Sequence, residues 1–172
     1  MRPIAALALL ALAACKEDLA EVPLPISMTE EAVSHYCQMS VLDHGGPKAQ
    51  IYVEGLDAPL FFAQVRDAMA FLKSPERDRR VRMSYVSDMG VAETWDTTGI
   101  DNWTPAPEAH FVIEAGVRGG MGAPEVVPFA RREDAEAFAT RYGGRIVTLD
   151  DIPDEAVLGA VDPEAELQEP SG

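Results

Sequence analysis

The amino-acid sequence predicts an α+β fold of two packed ββαβ repeats, with a short N-terminal helix and a disordered acidic tail. An internal repeat is the main reason. Residues 62–71 and 129–138 are identical at six of ten positions, at a constant offset of 67 residues. Two runs of β-forming residues precede each copy and a third follows it. Because a unit of about 40 residues is too small to bury a sufficient core alone, we expect the two units to pack together.

The first unit is predicted to span residues 27–90. Ser27 and Glu30 form a capping box, which predicts a short helix that stops before the Gly-Gly-Pro of residues 45–47. That helix would carry Ala32, Val33 and Tyr36. The later elements are strands at residues 50–54, 60–62 and 81–86 and a helix at 64–73. The second helix presents four apolar side chains at helical spacing: Val65, Ala68, Met69 and Leu72.

The second unit is predicted to span residues 109–150, after a linker loop at 91–108. Its strands are expected at residues 110–114, 126–129 and 145–149, with a helix at 132–142. Pro128 lacks the N–H group that a central strand needs, so the second strand is expected at a sheet edge. Gly143 and Gly144 form a typical helix stop.

The N-terminal segment is typical of an exported lipoprotein. Within residues 1–14, Arg2 precedes an apolar run that is far shorter than the ~20 residues needed to span a bilayer. Two alanines then stand directly before Cys15, which is the bacterial lipobox pattern. We therefore expect cleavage before Cys15, acylation of that residue, and a polar linker at residues 15–26. The alternative is ordinary signal cleavage beside an incidental cysteine.

The chain carries a formal net charge of −15. Such a surface repels nucleic acid and anionic lipid headgroups, which argues against both as partners. It would attract cations and basic protein surfaces. Part of the acidity lies in residues 151–172, which we expect to be a disordered tail.

Cys37 is the only other cysteine, so it would be a single thiol in an oxidising compartment once Cys15 is acylated. Met39 follows two residues later, and Met121 lies between two glycines in a segment inserted at residues 115–125. Cu(I) is a soft ion that prefers thiolate, thioether and imidazole ligands. The sequence therefore predicts a Cu(I) site at Cys37, Met39 and Met121. The alternative is a buried cysteine and methionines that only fill a core.

The Cys-x-Met spacing also makes a demand on the backbone. Residues i and i+2 point apart in a helix, whereas they share a face in an extended segment. The capped helix must therefore end at or before Cys37 if Cys37 and Met39 bind one ion. Four further side chains could contribute ligands: Met89, His35, His44 and His110. Of the histidines, His44 is the best candidate because of its position in the Gly-rich turn, whereas His110 opens a strand.

Other kinds of site find little support in the sequence. Zinc is disfavoured because neither Cys-x-x-Cys nor His-x-x-His occurs. Residues 116–122 are glycine-rich but lack the Gly-Lys-Ser/Thr ending of a phosphate loop. No nucleophile elbow or catalytic triad pattern is present.

Taken together, these motifs resemble the NosL family of copper lipoproteins. The resemblance covers a lipobox, Cys-x-Met, the Asp-His-Gly-Gly-Pro-Lys-Ala-Gln-Ile of residues 43–51, and the Gly-Gly-Met-Gly-Ala-Pro-Glu of residues 119–125. It implies two ββαβ repeats similar to part of alkylmercury lyase. It also implies an accessory protein that binds one Cu(I) and supplies copper for the copper-sulfide centre of nitrous oxide reductase. Cys37 and Met39 match the family's copper-binding pair, and Met121 matches a further family methionine.

The resemblance further implies partners and a location. The partners would be a membrane ABC-type maturation complex for nitrous oxide reductase and its periplasmic component. The protein would face the periplasm from a lipid anchor, and Lys16 after Cys15 favours the outer membrane. We expect no enzymatic activity, because a thiol-dependent lyase needs at least a second cysteine or acid to protonate the leaving carbon, and no second thiol remains once Cys15 is acylated. A lipoprotein adaptor without metal is the other alternative.

Overall fold

The computed structural model describes residues 22–162 and the single residues 166, 168 and 170. The predicted signal peptide, the lipid site at Cys15 and residues 16–21 lie outside the described residues. Within that part, no helix is long and apolar enough to cross a membrane.

Two antiparallel sheets and a few helices build the molecule, which confirms the α+β prediction. Sheet neighbours follow the order β2-β1-β3-β4 in the first sheet and β6-β5-β7 in the second. The strands are β1 Ala49–Val53, β2 Leu60–Phe62, β3 Val81–Ser87, β4 Trp103–Pro105, β5 His110–Ile113, β6 Val127–Phe129 and β7 Arg145–Val147. The helices are α1 Val65–Lys73, α2 Arg132–Tyr142 and α3 Asp154–Leu158, with 3₁₀ turns at Val41–Asp43 and Ala106–Glu108.

Apolar residues from both predicted units share one core. Ile51 and Phe62 from the first unit are fully buried in it together with Phe111 and Ile113 from the second. A smaller cluster under α2 contains Ala135 and residues of β5 and β6. Pro128 lies in β6 at the edge of the second sheet, as its missing N–H group predicted.

The helix predicted after Ser27 is wrong. The Ser27 hydroxyl donates to the Asp101 side chain instead of capping a helix. Residues 33 and 34 form β-bridges, Val33 with Ser40 and Ser34 with Phe61 of β2. Pairing with β2 supplies the backbone hydrogen bonds that a short isolated helix would otherwise supply, and such helices are only marginally stable.

Two further predictions are corrected. The linker at residues 91–108 contains β4, which pairs with β3, because Trp103 and Thr104 are good strand formers beside an unpaired edge. The tail at residues 151–172 is ordered at its start: α3 buries Val157, and Ile152 is fully buried in the main core. Arg66 fastens this segment by donating to the carbonyl groups of Ala156 and Gly159.

Candidate metal site

Cys37 lies in a tight turn between two short antiparallel arms. The Gln38 N–H donates to the Ser34 carbonyl at 2.9 Å and closes the turn. Gln38 has φ of 59°, a left-handed conformation that no continuous helix or strand contains. Its side chain supports the turn by donating to the His35 carbonyl at 2.7 Å. The Ser34 N–H donates to the Met39 carbonyl at 2.8 Å across the two arms.

A site at Cys37 and Met39 was predicted to need a backbone that is not helical and that is extended between the two residues. The turn meets the first condition and not the second. No helix runs through Cys37 and Met39, as the metal-site hypothesis demands. The segment is not extended either, because the left-handed Gln38 separates the two residues. The turn therefore sets the relative direction of the two side chains, in place of strand alternation.

The exposure of the methionines separates possible ligands from core residues. Met28 and Met69 are 2% and 1% exposed, and both pack inside apolar clusters. Met39 and Met121 are 43% and 40% exposed. Cys37 is a free, half-buried cysteine that packs against the cluster containing Met28. Filling the core therefore does not explain Met39 or Met121.

Met121 sits at the tip of a small glycine loop formed by residues 119–122. Its N–H donates to the Gln64 side-chain oxygen at 2.6 Å. The neighbouring Gly120 packs so closely on the loop of His44 that a Cβ there would lie 2.6 Å from both the Gly45 oxygen and the His44 Cβ. Only glycine allows this approach.

Gln64 connects the Met121 loop to the Cys37 turn. It lies fully buried at the start of α1, directly after Ala63. The Ala63 N–H donates to the Ser34 hydroxyl, which begins the Cys37 turn, at 3.3 Å. The Met121 loop therefore contacts Gln64 and the His44 loop at the end of the first sheet where β1 begins, and the Cys37 turn starts at the same end, beside Ala63.

His44 presents a nitrogen atom suited to a metal. Its Nδ1 lies 3.2 Å from the Gly120 carbonyl, which can only accept, so Nδ1 carries the proton. Its buried Nε2 has no hydrogen-bond partner in the described part of the chain. In a neutral imidazole this arrangement leaves the Nε2 lone pair free, which is the usual state of a ligating histidine. The imidazole borders a pocket of about 250 Å³ shared with the glycine loop and Trp95.

Two buried titratable groups that sequence reasoning missed support these loops. Glu125 accepts from the N–H groups of Arg66 and Val126 at 2.8 and 2.9 Å, and Gly119 lies against its other oxygen. Lys48 donates to the Gly46 carbonyl at 2.5 Å. Burial raises the pKa of Glu125 to about 8 and lowers the pKa of Lys48 to about 8. Both residues fall inside the quoted motifs, but their burial depends on tertiary packing.

The remaining candidate ligands occupy other surroundings. His35 packs its ring against Phe62 and Phe71. His110 opens β5, as expected, and Met89 packs against the cluster under α2. Among the described residues, no three His, Cys, Asp or Glu side chains form a group suited to a metal.

The comparisons with known proteins agree with one another. A sequence model of the NosL family matches residues 25–157. The chain is 51% identical to the copper-binding lipoprotein NosL of Achromobacter cycloclastes, over 92% of this chain and 83% of that protein. It is 28% identical to the protein of the same name from Stutzerimonas stutzeri, over 83% of this chain and 73% of that one.

Two solved structures have the same fold. The crystal structure of the copper chaperone NosL from Shewanella denitrificans superposes with a TM-score of 0.70 and 29% identity, covering 75% of this chain and 95% of that one. The solution structure of apo-NosL from Achromobacter cycloclastes gives a TM-score of 0.50 and 50% identity, covering 63% and 87%. These relatives are named as copper-binding lipoproteins or a copper chaperone rather than as enzymes, which confirms the expectation of a non-enzymatic role. Because the family model spans most of the chain and one relative is 51% identical over nearly all of it, the chain belongs to the NosL family.

Proposed function

We propose that this protein is a lipid-anchored Cu(I) chaperone that faces the periplasm and supplies copper for the copper-sulfide centre of nitrous oxide reductase. The observation that carries the proposal is the turn at residues 34–38. It presents a free thiol beside the exposed Met39, at the same end of the sheet as the exposed Met121. The names of the relatives support copper as the metal.

The Cys37 thiolate is the anchoring ligand in this proposal, and Met39 and Met121 add thioether sulfur atoms. One anionic thiolate and neutral thioethers favour Cu(I) over Cu(II). The Nε2 atom of His44, or a ligand from a partner protein, is the alternative third donor. The His44 tautomer supports the histidine, and the exposure of Met121 supports the methionine.

Delivery requires that copper can leave the site. Met39 and Met121 each expose about two fifths of their surface, so a partner's sulfur atom can approach the ion while the thiolate still holds it. Stepwise exchange of weak thioether ligands then transfers copper without releasing it to water. The proposed partners are the ABC-type maturation complex of nitrous oxide reductase and its periplasmic component.

The proposed location follows from the lipobox that ends at Cys15. Acylation of Cys15 would hold the chain at the periplasmic side of a bacterial membrane, and Lys16 favours the outer membrane. Membrane fractionation after labelling with radioactive palmitate tests both points. Label that persists in a Cys15→Ala variant would contradict the anchor.

A competition titration against a Cu(I) chelator tests the copper site. Removing supporting groups alone changes metal affinity by 10–100-fold, so loss of the anchoring thiolate in Cys37→Ala should weaken binding by at least about 100-fold. Met83→Leu, a half-buried methionine of β3, is the matched control and should bind as wild type does. Equal affinities of Cys37→Ala and wild type would contradict the proposal.

X-ray absorption of the copper-loaded protein distinguishes the third ligand. Met121→Leu should lose one sulfur neighbour if Met121 binds, and His44→Phe should lose one nitrogen neighbour if His44 binds. If neither variant changes the neighbour count, a partner residue completes the site.

A further inference from the structure

Residues 22–26 form a strap across the first sheet, on the face opposite the main core. Side chains of β1 and β3 hold three strap carbonyls at 2.8–2.9 Å: Tyr85 donates to Pro23, Tyr52 to Leu24 and Gln50 to Ile26. Residues 26 and 24 thus lie beside residues 50 and 52, so the strap runs antiparallel to β1. The N-terminal end of the strap therefore lies at the end of β1 that is farthest from the candidate metal site.

The strap exposes large apolar side chains to solvent. Val22, Leu24 and Ile26 are 57%, 78% and 46% exposed. The hydrogen bonds to the sheet hold their backbone in place, so these side chains cannot turn inward to the core. A row of exposed apolar residues in the strap indicates contact with another apolar phase.

A cationic segment borders this row. Four of the 14 basic residues of the chain fall within residues 77–82, and all four are exposed: Arg77, Arg79, Arg80 and Arg82. Arg80 and Arg82 line one pocket of about 430 Å³ together with Val22 and Pro23 of the strap. Arg79 donates to the Glu54 carbonyl at 3.2 Å, which keeps the segment against the same end of β1.

Exposed apolar side chains beside arginines suit the interface of a bilayer with anionic headgroups. The overall charge of −15 argues against such lipids at long range, and Glu54, Glu76 and Asp78 lie close to the arginines. Charges farther away than the Debye length of about 8 Å are largely screened at physiological salt. At this end of the sheet the four arginines outnumber the three carboxylates, so the local charge that a bilayer meets at contact is positive.

The length of the chain brings this surface to the membrane. Seven residue steps separate Cys15 from Val22, and a fully extended chain spans at most about 3.6 Å per residue. An acyl group on Cys15 would hold Val22 within about 25 Å of the bilayer. This step rests on the lipid anchor of the proposed function.

We propose that the strap and the segment 77–82 form a membrane-contact surface for bilayers with anionic headgroups. The five residues of β1 separate the N-terminal end of the strap and the segment 77–82 from the loops of Cys37, His44 and Met121 by roughly 17 Å, at about 3.3 Å per residue. Contact at the strap end directs the candidate metal site away from the bilayer, toward soluble partners.

Co-sedimentation with vesicles tests the surface without the anchor. The protein is the mature chain from residue 15 onward with the substitution Cys15→Ser. One set of vesicles is anionic and contains phosphatidylethanolamine and phosphatidylglycerol. The other set is neutral and contains phosphatidylcholine alone. The wild-type surface should bind the anionic vesicles in preference to the neutral ones. Because each arginine near an anionic surface contributes up to about fivefold, Arg79→Gln with Arg80→Gln should weaken binding by about tenfold.

Arg131→Gln with Arg132→Gln is the matched control, since it removes two adjacent exposed arginines at the start of α2, beside the other sheet. It should leave vesicle binding unchanged, whereas Leu24→Ser should weaken it. Absent binding, equal binding to both vesicle types, or equal losses in the two arginine pairs would overturn the proposal, and an acidic protein would then be the better partner. The Cu(I) titration of Arg79→Gln with Arg80→Gln should match wild type, so failure of the surface and failure of the copper site remain distinguishable.

Discussion

The two ββα segments differ most in the connection between their first two strands. Residues 54–59 join β1 to β2, whereas the longer segment 114–126 joins β5 to β6. The short connection turns at Gly55, which has φ of 82°, and packs Leu56 against the main core. The long connection makes its own bridge between Arg118 and Pro124 and reaches the loops of the first unit.

This difference separates the elements of the core from those of the candidate site. The elements that both copies share build the core, and the extra residues of one copy carry Met121 to Gln64 and His44. Loops tolerate insertion better than the elements they connect. The long connection is therefore expected to affect copper binding, and the short one only stability.

Gly120→Val in the long connection is expected to have the largest effect on stability and on Cu(I) binding. A Cβ at this position would lie 2.6 Å from backbone and side-chain atoms of the His44 loop, so the two loops must separate. Overpacking of this kind should lower the free energy of unfolding by about 3 kcal/mol and weaken Cu(I) binding. Gly116→Val is the control, because among the described residues only one atom, 4.0 Å away, lies near its added Cβ. Urea denaturation and chelator competition measure both effects, and similar losses in the two variants would contradict the close approach.

Gln64→Leu should have the next largest effect. It removes the acceptor of the Met121 N–H, which should lower the free energy of unfolding by about 2 kcal/mol and weaken Cu(I) binding. Gln50→Leu is the matched control: Gln50 is equally buried, and its side chain bonds Ile26 of the strap instead. Gln50→Leu should lose stability but keep the Cu(I) affinity. If both variants retain full Cu(I) affinity, Gln64 does not position Met121.

Gly55→Ala in the short connection should cost about 1 kcal/mol of stability because Gly55 has a left-handed backbone. The added Cβ would lie 3.1 Å from the flexible end of Arg79, which can move aside. Thermal unfolding measures the loss of stability, and the Cu(I) titration should show no change. A weaker Cu(I) affinity in this variant would remove the proposed distinction between the two connections.

Glu125→Gln should have the smallest effect at pH 5, since the buried carboxyl is protonated there and glutamine has the same shape. Burial raises the pKa of Glu125 from 4.5 to about 8, so the folded protein keeps a proton that the unfolded chain releases. This group therefore lowers stability as pH rises from about 4.5 to about 8, and the variant should lose this dependence.

Lys48 has the opposite effect on the pH dependence of stability, at higher pH. Burial lowers its pKa from 10.5 to about 8, so the unfolded chain binds more protons between these values and stability rises with pH there.

Denaturation of wild type and Glu125→Gln from pH 5 to pH 8 measures the Glu125 contribution. Parallel curves for the two proteins would contradict the raised pKa.

Predictions from the sequence succeeded where the signal was local. The helices at 64–73 and 132–142 were expected from apolar spacing and a glycine stop, and they form at Val65–Lys73 and Arg132–Tyr142. The strands at 50–54, 60–62 and 110–114 were also located to within one residue. Period and turn residues determine these elements, because both act over a few neighbouring positions.

The predictions that the structure corrected failed because they depend on distant parts of the chain. Ser27 and Glu30 form a correct capping pattern, yet their segment pairs with β2, and nothing within residues 27–37 encodes that partner. Trp103 forms a strand only because β3 offers an unpaired edge. The acidic end of the chain forms α3 because Arg66 and the apolar core receive it.

The candidate site shows the same distinction between local sequence signals and tertiary packing. Residue type and spacing alone suggested Cys37, Met39, Met121 and His44 as candidate ligands, because the affinity of a soft metal for sulfur and imidazole is a property of the side chains. Only the tertiary structure decided that the Met121 loop packs against Gln64 and the His44 loop, both far from it in the sequence, at one end of the first sheet. It also decided that Gln64 holds Met121 and that Glu125 and Lys48 are buried beneath. Those features depend on which surfaces pack together, and packing is a property of the whole fold that no single segment contains.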